Sequence, residues 1–168
     1  MALPFLLLFA QIAPASQLPQ SQVTLSYDCD TIANAFSRIG PEQPGATHVS
    51  GTVAYIRPHA DTYRPVAGIA FRQSNAATAL SVQIAQMDGK ALTVRVNYLG
   101  RFGMVQAILG TIGPTDPVHF DVALPDRAHA NVMVGDFLRT FELADGPPLT
   151  PMAFCSSGQF KFSRLSFE

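Results

Sequence analysis

Apolar and polar residues alternate along two runs, residues 79–86 and 90–98, on either side of Met87-Asp88-Gly89. A period of two puts one class of side chain on each face of a strand, and Asp-Gly between two such runs is an antiparallel turn signal. A two-residue turn at Asp88-Gly89 would set Val82 against Arg95 and Ile84 against Thr93, mixing the classes on one face. A half-buried sheet does not tolerate that register. The sequence therefore predicts a three-residue loop, with Met87 and Asp88 near helical geometry and Gly89 left-handed as a bulge, pairing Ile84 with Leu92, Val82 with Val94 and Leu80 with Val96. These six apolar residues face a core. Ser81, Gln83, Thr93, Arg95 and Asn97 then form a polar face on which a ligand can sit.

The same alternation recurs along the chain. Residues 23–27 read as a strand, and residues 31–38 as one short helix stopped by Gly40-Pro41. Residues 48–57 alternate with Val49, Gly51, Val53 and Tyr55 on one side, ended by Pro58, and residues 59–65 form a polar loop holding Asp61, Tyr63 and Arg64. Residues 66–72 follow as a strand with Ile69 and Phe71 inward. Gly100-Arg101-Phe102-Gly103 then turns the chain into residues 104–112. Val118, Phe120, Val122 and Leu124 define the next strand. A connection over residues 125–129 sets Val122 against Val132 and Phe120 against Val134. Gly135-Asp136 turns into residues 137–143, and Gly146-Pro147-Pro148 and Pro151 interrupt structure before Cys155. In residues 159–168, Phe160 and Phe162 have one parity while Leu165 and Phe167 have the other. This implies a β-bulge near Ser163-Arg164 or a strand buried on both faces.

About ten short, regularly spaced strands with almost no helix pattern predict an all-β fold, an antiparallel two-sheet β-sandwich. The order of a first strand, a central antiparallel series, residues 118–124 paired with residues 131–134 before Gly135-Asp136, and the final run 158–168 resembles the concanavalin A-like lectin and glucanase jelly rolls. The resemblance covers most of the chain after the leader and implies a jelly-roll sandwich. Glucanases of that kind need paired carboxylates about 5 to 5.5 Å apart for a retaining reaction. This chain's glutamates, Glu42, Glu142 and Glu168, stand in unrelated places, and no Glu-x-Asp-x-Glu run exists.

Residues 1–15 form an apolar run closed by Ala13-Pro14-Ala15, the small-x-small pattern of a signal peptide cleaved after Ala15, although no Lys or Arg precedes the apolar core. Residues 16–168 are then one secreted or periplasmic domain, with no membrane insertion after cleavage. At 48% hydrophobic residues such a length buries a real core. The formal net charge of −1 offers no electrostatic case for nucleic acid or an anionic membrane. Two cysteines in an oxidising compartment predict one disulfide, Cys29–Cys155, tying the end of the first strand to the start of the last.

No catalytic signature emerges. His48, His59, His119 and His129 lack the spacing of metal ligands, so neither metal nor cofactor is expected. Asp28 and Asp30 read as solvation of a strand end. His119 and Asp121, at i and i+2 of a strand, share a face where a carboxylate can orient an imidazole. There is no Gly-x-Ser-x-Gly elbow. For binding, Arg72, Gln83, Arg95, Asn97, His119 and Asp121 have outward parities, and Tyr63, Arg101 and Phe102 sit in neighbouring turns. Trp is absent. The expectation is an exported, non-catalytic module that binds a glycan or another polar envelope component. The alternatives are an envelope assembly protein that binds another protein, or a glycan-active hydrolase.

Overall fold

A computed structural model describes residues 24–41, 45–59, 63–75, 77–86, 91–114 and 117–168. Among them lie twelve strands and no helix: β1 (Leu25–Asp30), β2 (Phe36–Ile39), β3 (His48–Pro58), β4 (Val66–Arg72), β5 (Thr78–Gln86), β6 (Leu92–Gly100), β7 (Gly103–Ile112), β8 (Val118–Ala123), β9 (His129–Val134), β10 (Phe137–Glu142), β11 (Thr150–Ser156) and β12 (Gly158–Phe167). They form two six-stranded antiparallel sheets, β1-β12-β3-β8-β9-β10 and β2-β11-β4-β5-β6-β7, called here the first and second sheet. The expected leader lies outside the described residues. No described helix is long and apolar enough to cross a membrane.

Alternation builds the core. Ile69 and Phe71 of β4, Leu80, Val82 and Ile84 of β5, and Leu92, Val94 and Val96 of β6 meet Val49, Phe120, Val122, Val132, Phe160 and Phe162 of the first sheet in one buried cluster. Each fully buried side chain of this size contributes roughly 1.5–3 kcal/mol. Aromatic pairs fill the interior: Tyr27 with Phe162 at 5.7 Å, Tyr55 with Phe160 at 5.4 Å and Tyr98 with Phe141 at 5.0 Å between ring centroids. At one side the two sheets come so close that a Cβ on Gly110 of β7 would lie 2.3 Å from the ring of Phe137 in β10.

Cys29 of β1 and Cys155 of β11 are joined across the sandwich, 126 residues apart, with Cα atoms 6.0 Å apart and both side chains fully buried. The bond links the two sheets. It reaches the end of the penultimate strand rather than the start of the last one.

Several expectations need correction. Residues 31–38 are not helical: after a turn at Ala33 and Asn34, residues 36–39 pair with β11. Cys29 is bonded to Cys155 in β11, so the chain just beyond it is delivered to that strand's free edge. There, ladder hydrogen bonds outweigh the weak helix propensity of eight residues. The β5–β6 register is also displaced by two: Ile84 pairs with Val94, Val82 with Val96 and Leu80 with Tyr98, and the last pair is Gln86 with Leu92. A shift of two, unlike a shift of one, leaves every side chain on its expected face. The geometry expected for Met87, Asp88 and Gly89 lies outside the described residues. Pro151, expected to interrupt structure, lies within β11, paired with Phe71 of β4 beyond the last β2 pair, Ala153 with Ile39. At that point no second neighbour needs the missing N–H. The twelve strands agree with the expected number of about ten, β2 and the separate β11 being the additional ones. The β8–β9 register, Phe120 with Val134 and Val122 with Val132, is as the sequence predicts. So is the bulge of β12, whose pairing shifts between Ser163 and Ser166, with Arg164 at φ 53°.

Candidate ligand-binding face

Because side chains alternate, the outer face of the second sheet is fixed by its core face. Cross-strand pairing arranges the outward residues in rows running across the strands. One row reads Arg38, Phe154, Gly68, Gln83, Arg95 and Ile108; the next reads Met152, Ala70, Ser81, Asn97 and Gln106. Gly68 is required by close approach, since a Cβ there would lie 2.0 Å from the carbonyl oxygen of Val82. Small residues at Gly68, Ala70 and Ser81 leave a low floor between bulkier flanks. The resulting cleft has a volume of about 460 Å³ and is lined by Phe36, Ala70, Arg72, Thr78, Ser81, Gln83, Asn97, Met104, Met152 and Phe154.

The polar groups on this floor form an ordered chain. Arg95 donates from Nε at 3.2 Å and from Nη2 at 2.7 Å to Oε1 of Gln83. An arginine has only donors, so the amide must present its oxygen there. Gln83 Nε2 in turn donates to Ser81 Oγ at 2.8 Å. Three further N–H donors of the guanidinium lie outside the Gln83 pairing. Beside this chain, Gln106 Nε2 donates to Oδ1 of Asn97, itself a lining residue of the cleft, at 2.9 Å. Opposite stands an apolar wall: Phe36, 56% exposed, stacks on the buried Phe154 with ring centroids 5.3 Å apart.

Of the residues singled out in the sequence, Arg72, Gln83, Arg95 and Asn97 come together on this face. His119 and Asp121 project from the outer face of the first sheet, on the opposite side of the sandwich. They are not partnered with each other: Asp121 Oδ2 lies 3.1 Å from Nε2 of His48 on the neighbouring strand β3, and Glu168 lies 3.5 Å from its Nδ1. Tyr63 precedes β4 at one end of the second sheet. Arg101 and Phe102 occupy the β6–β7 turn at its other end, with the guanidinium 5.6 Å from the Phe102 ring centre.

Sequence reasoning missed Phe36, Met152 and Phe154. The signal was present in the opposite parity of Met152 and Phe154 to Ala153 and Cys155, but it becomes legible only once Pro151 is accepted inside a strand.

A smaller cavity of about 300 Å³ lies among end loops, lined chiefly by Leu124, Pro125, Leu143, Pro147, Pro148 and Leu149, with Asp126 and Arg127 also on its lining. His129 Nδ1 lies 2.9 Å from both carboxylate oxygens of Asp126, and the Ala128 N–H donates to it at 2.8 Å. These hydrogen bonds, that from His129 foremost, hold the Asp126 carboxyl below the ordinary aspartate range. His59 pairs with Asp30. Among the described residues no group of three or more His, Cys, Asp or Glu is placed to hold a metal ion.

No protein-family model and no curated protein matches the sequence. Solved structures do match in shape. An alginate lyase from Alteromonas sp. 272 superposes with a TM-score of 0.63 at 9% identity over 92% of this chain and 90% of its own. An alginate lyase from Pseudomonas aeruginosa gives 0.56 at 18% identity over 73% and 65%. A carbohydrate binding module from Bacillus subtilis gives 0.52 at 9% over 86% and 92%. The fold is a concanavalin A-like jelly roll. At these identities the likeness is one of fold, and this fold carries both polysaccharide lyases and binding modules. The chemistry on this chain's own surface decides which reading it supports.

Proposed function

We propose that this protein is an exported, non-catalytic binding module for a glycan, held on the outer face of the second sheet. The observation that carries this reading is one cleft lined by an ordered polar group, Ser81 and Gln83 with Asn97 beside them, and by an exposed aromatic wall, Phe36 on Phe154, with Arg95 next to the cleft and anchored on Gln83. Sugar rings present hydroxyls at their edges and apolar C–H faces, and the two walls answer to those two surfaces. The strands of this sheet contain no Asp, Glu or His. The side chains that most often move protons at neutral pH are therefore missing from the described lining of the cleft, which favours binding over bond cleavage. Neighbours of the same fold that are named for carbohydrate binding support the ligand class. The apolar leader and the Cys29–Cys155 bond support export.

A glycan array read with the purified, disulfide-bonded protein tests the proposal. Saturable binding that is lost in Arg95→Ala, a change expected to cost under about 1 kcal/mol of stability at a half-exposed position, supports it. Binding that survives Arg95→Ala and disappears in Phe102→Ala moves the site to the loops. A second reading, an assembly protein that docks another protein, is favoured by the apolar residues left exposed at one side, Met104 and Ile108 on β7 and Leu138 on β10. A blank array together with a defined co-purifying protein would select it.

A further inference from the structure

The second sheet sorts charge by sign. Its six strands contain three charged residues, and all three are arginines: Arg38, Arg72 and Arg95. The strand carboxylates Asp28, Asp30, Asp121 and Glu142 all belong to the first sheet. In a chain whose formal net charge is −1, this leaves one face of the sandwich cationic without any overall excess of positive charge. All three arginines project outward, as the core positions of their strands require: Arg38 follows the parity of Phe36, Arg72 lines the cleft, and Arg95 is held by Gln83. Arg38 and Arg95 stand in the same cross-strand row, separated by four strand spacings. At about 4.8 Å per strand the two are about 19 Å apart; Arg72 lies on β4 off that row, four residues along from Gly68.

From this placement we infer that the ligand is an acidic polysaccharide, a glycan chain bearing carboxylate or sulfate groups, lying across the strands so that its anionic groups meet Arg95 and Arg38. The inference rests on the glycan-binding reading of the same face. A neutral sugar needs donors and acceptors in comparable number, whereas the strands of this face carry guanidinium groups and no carboxylate. Guanidinium groups bind carboxylate and sulfate oxygens through paired N–H donors, and the Gln83 anchor leaves the outer edge of Arg95 for that contact. The separation of Arg38 from Arg95 selects for a polymer, because a single sugar reaches one arginine at a time. Phe36, beside Arg38 on β2, supplies the apolar contact for a ring between two charged groups.

The test compares polygalacturonate, the same polymer with its carboxylates reduced to alcohols, and dextran sulfate against unsubstituted dextran, by affinity electrophoresis with the disulfide-bonded protein. At least one anionic polymer is expected to bind at least about tenfold more tightly than its neutral counterpart, and to lose about tenfold or more between 50 mM and 500 mM salt as the charges are screened. Which of the two binds distinguishes carboxylate from sulfate. The triple variant Arg38→Gln, Arg72→Gln, Arg95→Gln, shown to be folded by its unchanged β-sheet circular dichroism, is expected to lose that preference, while Lys161→Gln on the opposite face keeps it. Equal or tighter binding of the neutral polymers overturns this inference and leaves the glycan reading standing. Anionic binding that survives the triple variant also overturns it. If no polymer binds and the wider array is blank, the glycan reading itself fails.

Discussion

Arg95 and Gln83 face each other on adjacent strands, and two guanidinium N–H groups converge on the single side-chain oxygen of the glutamine. The amide therefore acts as a positioning group for the arginine. Gln83→Ala is expected to cost about 1 kcal/mol of stability, the charge-assisted bond being discounted for solvent screening at a half-exposed site. Ligand affinity should fall further, about tenfold, because Arg95 must then be ordered at the expense of binding. Gln83→Glu keeps the shape but neutralises the guanidinium, so it should weaken anionic ligands while leaving the melting temperature nearly unchanged. Thermal melts alongside affinity electrophoresis separate these effects. An affinity unchanged in both variants would remove Gln83 from the site.

The bridge between the sheets makes a separate prediction. The double variant Cys29→Ala, Cys155→Ala should lose about 2–5 kcal/mol in denaturant unfolding, since the bond closes a long loop between two buried positions. Oxidised protein should take up no alkylating label, and denatured, reduced protein should take up two.

Gly68 tests the floor of the cleft. A methyl group there would press on the backbone of β5, where no side chain can swing aside. Gly68→Ala should destabilise by about 3 kcal/mol or more, a fall in Tm of roughly 6–12 °C for a domain of this size. A variant as stable as the parent would mean that β4 and β5 can separate locally.

Asp126 predicts a specific behaviour in acid. Its folded-state carboxyl is held below the ordinary value, chiefly by the His129 hydrogen bond and then by the Ala128 N–H. A depressed carboxylate contributes stability that is present above the unfolded value, about 3.9, and is lost as pH falls through the folded value. Side-chain carbon shifts followed by NMR should show Asp126 titrating below the other exposed aspartates. His129→Ala should move it back towards them. The group is fully exposed, so the global unfolding curve should barely register the change.

Parts of this architecture are legible in the sequence because burial enforces a strict period of two. Val118, Phe120 and Val122 alternate without a fault, and their partners Val132 and Val134 follow from matching parities. The polar face of β5 and β6 is readable for the same reason, and it survives a register that slid by two residues. Residues 31–38 fail because their fate is set by a tertiary contact: β11 offers an edge, and the Cys29 bond brings the chain to it. The cleft's aromatic wall was hidden with them, since Phe36 is an outward strand residue only if that segment is a strand. Which polar residues share a surface depends on which strands share a sheet. His119 and Asp121 have the outward parity of Arg95, yet they decorate the opposite side of the molecule.

The aromatic wall also depends on a covalent bond. Phe154 is the residue before Cys155, and β2, which carries Phe36, has β11 as its sole partner in the sheet. Whatever loosens β11 from the opposite sheet therefore slackens the wall on which a ring would rest. Under the proposed reading, the bond to Cys29 fastens the strand that carries the cleft's aromatic wall to the opposite sheet, so the oxidised protein is the form in which that side of the cleft is tied down.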